Sequence, residues 1–117
     1  MEKYKILREL VSFNTIQDKE NKNIIDYIEK ILTIKGFKTK YKDKNLIMTY
    51  GKKPSFGFLG HTDTVEYTEG WNTNPFILKE KDNKLYGLGA CDMKGGIAAI
   101  LEAVLETDFS KIKNGIK

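Results

Sequence analysis

Apolar residues at Tyr4, Ile6, Leu7, Leu10, Val11 and Phe13 fall close to one helical face and predict a helix over 2–13. SFNTIQDKEN then breaks the period. A second face at Ile24, Ile25, Tyr27, Ile28, Ile31 and Leu32 predicts a helix from about Asp18 to Lys35, with Gly36 as its stop. Three strand candidates follow: FKTKYK (37–42), NLIMTY (45–50) and SFGFLG (55–60), the last two separated by the turn signal GKKP (51–54). The third run is apolar on both faces, the pattern of an inner strand.

Residues 61–75, with Gly70, Trp71, Asn72, Asn74 and Pro75, read as loop, and FILKEKDNKLYGLG (76–89) as a hairpin turning at Asp82-Asn83. The closing segment DMKGGIAAILEAVLETD is apolar almost all round, which predicts a buried helix with Asp92 as a candidate N-cap. Together these elements predict an α/β fold, a mixed β-sheet packed with helices. A helix apolar on every side needs covering on every side, and only about ten residues follow it. Residues 1–117 are therefore expected to be the front part of a larger domain.

Composition narrows the classes. The chain of 117 residues is 40% hydrophobic and 31% charged, ordinary for a globular protein and unlike a disordered one. No apolar run approaches the roughly 18 residues of a membrane span, and the amphipathic MEKYKILREL lacks a signal peptide's apolar centre. The single cysteine, Cys91, cannot form an internal disulfide, which suits a reducing cytosol. A cytoplasmic location is the expectation, with no membrane partner. The net charge of +4 comes almost wholly from lysines scattered among Asp and Glu; Arg8 is the one arginine. That describes a solvated surface, so no nucleic-acid partner is expected.

Candidate chemistry centres on FLGHTDTV (58–65), which holds His61, the only histidine. It follows an apolar run, where α/β sheets present ligand sites. Asp63 at i+2 leaves an extended chain on the same face and would fix the imidazole's tautomer. A satisfied histidine at a strand end is the plainer alternative. The second cluster is LYGLGACDMKGG (85–96). Its glycines fail the dinucleotide fingerprint, because Asp92 stands where the third glycine belongs, and no Lys-Ser/Thr pair completes a P-loop. Asp92 at a strand-to-helix junction could cap the helix or bridge two cations about 3.5 to 4 Å apart. Cys91 reads as a small buried packing residue.

In order, GHTDTV, GWNTNPF and KLYGLGACDMKGGIAAIL resemble the N-terminal part of the M20 family of zinc metallopeptidases and deacylases. The resemblance implies a zinc-exopeptidase-like catalytic domain that removes an N-acyl group from, or cleaves a peptide bond of, a small amino-acid substrate. By the same likeness His61 and Asp92 would be zinc ligands, Asp92 bridging two zincs. Asp63 would be the catalytic residue that orients the imidazole, and the Asp92-Met93 peptide would be cis. Cobalt or manganese would also suit these donors. Trp71, Pro75, Phe76, Lys94, Gly95 and Gly96 match positions with structural roles. Leu88, where many relatives have arginine, leans toward the acetylornithine deacetylase side. Glu66 replaces a proline frequent after the histidine motif.

The resemblance also implies what lies outside the matched region: a Glu-Glu pair holding the general base, two further ligands and an inserted dimerisation domain. The expected partner is a small N-acyl amino acid or dipeptide, and the parent protein is expected to be a homodimer. The chain alone is expected to bind zinc weakly and not to turn over. A truncated fragment that folds without chemistry is the competing class.

Overall fold

In the computed structural model, which describes residues 2–17 and 21–117, the first helical face becomes α1 (Lys5–Ser12). Helix α1 starts later than its apolar pattern because Tyr4 sits in the left-handed region at φ 62°. Of the predicted face, Ile6, Leu7, Leu10 and Val11 are buried, while Tyr4 and Phe13 flank the helix and are partly buried. Helix α2 (Lys22–Ile34) covers most of the second expected helix, and the start placed at Asp18 lies outside the described residues.

Gly36 ends α2 as the pattern predicts. With φ at 88°, it turns the chain so that its own N–H reaches Thr33 O at 3.0 Å and the Phe37 N–H reaches Leu32 O at 3.2 Å. These two bonds make a Schellman ending, with Phe37 packing in the same cluster as Leu32.

Strands β1 (Lys38–Lys42) and β2 (Asn45–Thr49) pair antiparallel. β3 (Pro54–Phe56) pairs parallel with β6 (Gly115–Ile116), and β4 (Lys79–Lys81) pairs antiparallel with β5 (Lys84–Tyr86). The hairpin turns where expected, both Asp82 and Asn83 taking positive φ. The strands thus form three two-stranded sheets, with pairings of both directions.

α3 (Gly95–Glu106) packs on α1 and α2 through Ile97, Ala98 and Leu101. One cluster gathers α1, α2, Leu78 and α3; a second gathers Phe37, Met48, Val104 and Phe109, with the Tyr50 ring tilted against Phe109, centroids 4.8 Å apart. Each fully buried Leu or Ile here contributes about 1.5–3 kcal/mol.

Two expectations from the apolar pattern need correction. The run 55–60 is not a buried inner strand. Only Pro54–Phe56 forms β3, all of it exposed, and Leu59 is 95% exposed. The run's backbone bonds go to β6 and Lys117 alone, so only one edge is paired among the described residues. α3 is likewise not covered all round: Gly96, Ala99 and Ala103 are exposed, because α1 and α2 pack on its other side.

The Cα radius of gyration, 15.2 Å, exceeds the roughly 13 Å of a compact domain this long, consistent with these open faces. No helix among the described residues is long and apolar enough to cross a membrane.

Candidate metal centre

Two irregular segments carry the site. His61 lies in the loop after β3, five residues beyond the strand's end, so a strand terminus does not hold it. Backbone bonds to the segment after α1 do. The Thr64 N–H donates to Thr15 O at 2.9 Å, and the Gln17 N–H donates to Thr64 O at 3.1 Å. The Thr15 hydroxyl donates to Thr62 O at 2.6 Å. From the other side, the His61 N–H donates to Met93 Sδ at 3.4 Å. Gly60 permits that approach, since a Cβ there would lie 3.1 Å from Met93 Cε.

Asp92 lies in a tight turn, Ala90–Lys94, just before α3. Its backbone is extended (φ −128°, ψ 95°), the Asp92–Met93 peptide is cis, and α3 begins at Gly95 without any side-chain cap. The N-cap alternative for Asp92 therefore falls. Cys91 is also corrected: this turn buries only Lys94, leaving Cys91 exposed rather than packed inside. Gly89 opens the turn at φ 77°, and a Cβ there would lie 2.5 Å from Thr64 Cγ2, so glycine is required for two reasons.

The three residues singled out in the sequence meet around one ring. His61 Nε2 lies 2.9 Å from Asp92 Oδ1. Nδ1 lies 3.1 Å from Asp63 O and 3.3 Å from Asp63 Oδ1. Both nitrogens therefore face acceptors. A neutral imidazole has one N–H, so one nitrogen would set its lone pair against an oxygen. A second positive centre, a proton or a metal ion, removes the conflict. Accordingly the Asp92 carboxylate raises the His61 pKa above its ordinary value; desolvation opposes it, and Asp63 adds a lesser push upward.

His61, Asp63, Thr64, Val65, Gly89 and Asp92 line a cleft of about 190 Å³. Asp92 is open to it, with a side chain 84% exposed. Among the described residues no group of three or more His, Cys, Asp and Glu side chains is arranged to hold a metal ion.

Two contributors were not legible as such. Lys94 is 1% exposed, and its ammonium donates to Phe13 O at 2.8 Å; burial lowers its pKa to about 8. Thr15, 2% exposed, sits in the stretch that merely broke a helical period. Nothing in its spacing marks it, because its partners are backbone groups 47 and more residues away. The Pro75–Phe76 segment has partners of its own: Pro75 O accepts from the Leu88 N–H at 2.7 Å, and Phe76 packs edge-on against Tyr67.

Comparison with known proteins agrees with this picture. Peptidase family M20/M25/M40 matches residues 57–116, the span holding both irregular segments. An acetylornithine deacetylase of Pasteurella multocida is 39% identical over 109 residues, covering 86% of this chain and 28% of that protein. One from Photorhabdus laumondii is 42% identical over 104 residues, covering 81% and 27%. A succinyl-diaminopimelate desuccinylase of a Sulfurovum species is 38% identical over 112 residues, covering 90% and 30%. The chain thus spans under a third of the length of these curated relatives. Human carnosine dipeptidase 1 superposes with a TM-score of 0.72 at 24% identity, over 94% of this chain and 29% of that one, and shares the fold. With the match running across both segments of the site, the chain belongs to the M20/M25/M40 family of peptidases.

Proposed function

We propose that this chain supplies the first part of the metal site of an amide hydrolase, with His61 and Asp92 as ligands and Asp63 orienting the imidazole. The observation that carries the reading is the ring of His61 held between two acceptors, at 2.9 Å and 3.1 Å. The donor set fits zinc. Nitrogen and carboxylate ligands about 2.0–2.2 Å from a tetrahedral zinc stand about 3.3 Å from each other. The Nε2–Asp92 separation of 2.9 Å is within a few tenths of an ångström of that spacing. Cobalt or manganese suits the same donors.

Asp63 accepts from Nδ1–H, fixing the tautomer in which Nε2 offers its electron pair toward Asp92. The open carboxylate of Asp92 keeps its second oxygen available for another cation. When bound, the metal supplies Lewis acidity at an amide carbonyl and a water-derived nucleophile at neutral pH. A small N-acyl amino acid or dipeptide is the proposed substrate class, and the likeness to acetylornithine deacetylases and a succinyl-diaminopimelate desuccinylase supports it. Cytoplasmic action fits the lone exposed cysteine. By the same likeness, residues 1–117 correspond to the N-terminal part of a catalytic domain within a longer, homodimeric protein.

Two ligands fall short of the four donors of a closed zinc site, so the chain by itself binds zinc weakly and does not turn over. The test is a panel of N-acetyl and N-succinyl amino acids, with zinc, on this chain and on the longest protein its gene encodes. The longer protein is expected to hydrolyse at least one, with loss of activity in His61→Ala, and the chain alone none. Zinc-dependent hydrolysis by the chain that disappears in His61→Ala would overturn the second statement. A longer protein with unaltered activity in His61→Ala would overturn the first.

A further inference from the structure

The two site-bearing segments touch directly, through the His61 N–H on Met93 Sδ and the His61 ring on Asp92, and both are also tied to one short stretch, residues 13–17. Toward the His61 loop run three bonds: Thr15 hydroxyl to Thr62 O (2.6 Å), Thr64 N–H to Thr15 O (2.9 Å) and Gln17 N–H to Thr64 O (3.1 Å). They fall on either side of Asp63, one and three residues beyond His61. Toward the Asp92 turn runs one bond, Lys94 ammonium to Phe13 O (2.8 Å), two residues beyond Asp92.

We propose that residues 13–17 act as a strap, and that Lys94 and Thr15 are positioning residues setting the His61–Asp92 separation through it. This inference rests on the metal-site reading above.

Burial supports the assignment. Lys94 and Thr15 are among the largest side chains that are essentially fully buried. A methionine would fill the lysine's volume without the cost of burying an ammonium. The ammonium's gain is a hydrogen bond to a carbonyl 81 positions earlier, which closes the link between the two segments. Ligand pairs must be held within about 0.5 Å to work, and outer-shell partners cost about 10- to 100-fold in metal affinity when lost.

The experiment compares the wild-type chain with Lys94→Met, Thr15→Val, Thr15→Ser and, as a destabilised control, Leu101→Ala. Zinc affinity is measured by calorimetry. The metal-free His61–Asp92 pair is followed by NMR shifts of the His61 ring nitrogens and the Asp92 carboxyl carbon. Lys94→Met and Thr15→Val are expected to weaken zinc binding about 10- to 100-fold and to move both sets of shifts toward free side chains. Thr15→Ser, which keeps the hydroxyl, is expected to restore both. Leu101→Ala is expected to lower thermal stability while leaving both unchanged. If Lys94→Met does not fold, the Thr15 pair decides. Should the wild type bind no zinc, the metal reading fails, and the strap is judged by the NMR shifts alone. Variants that lose stability but keep the zinc affinity and the paired shifts would overturn the strap, reducing Lys94 to a cap on the end of α1.

Discussion

The helical layer and the loop that carries the site are built by different means. α1, α2 and α3 meet through interlocked aliphatic side chains, Leu10, Val11 and Ile24 among them with no measurable exposure. From β3 to Val65 the chain instead leaves Phe56, Phe58, Leu59 and Val65 exposed. What fixes it is a handful of backbone bonds to residues 13–17, to Met93 and to Lys117. Hydrophobic packing is diffuse and tolerates small shifts. A hydrogen bond from a buried group sets position to a few tenths of an ångström. The site takes its precision from the second kind of contact.

That contrast is open to attack by mutation. In the helical layer, Leu101→Ala removes a side chain 1% exposed and is expected to cost about 2–5 kcal/mol, measured by denaturant unfolding. An intermediate effect is expected from Lys94, followed in metal-free protein. Its folded pKa, about 8, lies below the unfolded value of 10.5. The unfolded chain therefore binds more protons between these values, and stability rises with pH from about 8 to 10.5. The rise is on the order of 3 kcal/mol and is expected to be missing in Lys94→Met. A parallel pH profile in the two proteins would contradict the buried ammonium. Smallest of all, Leu59→Ser at the 95% exposed position is expected to stay within about 0.5 kcal/mol of wild type. A loss like that of Leu101 would show that this face is covered in solution.

The same contrast explains what could be read from the sequence. Helices α1 and α2 were legible because burial on one face writes a 3.6-residue period, and Gly36 and Asp82-Asn83 because their backbones need positive φ. His61, Asp63 and Asp92 were legible by residue type and motif. The structure adds that their side chains meet, across 31 positions in the case of His61 and Asp92. Apolar content misled at Leu59 and at Ala99 and Ala103, since an apolar residue carries no mark of whether a partner covers it. It also misled at Cys91, whose turn faces solvent. Thr15 and Lys94 left no periodic trace, because the side chain of each acts through a long-range bond to a backbone carbonyl.

The most direct measurement is a calorimetric zinc titration of the wild-type chain and of His61→Ala, at neutral pH and again about two pH units lower. A raised histidine pKa means that the proton is held more tightly in the folded state, so it competes with the metal as pH falls. The account predicts weak binding of zinc at neutral pH that fades on acidification. It also predicts that His61→Ala loses more than the roughly 10- to 100-fold expected for an outer-shell change. Equal zinc affinity in wild type and His61→Ala, or affinity indifferent to acidification, would contradict it.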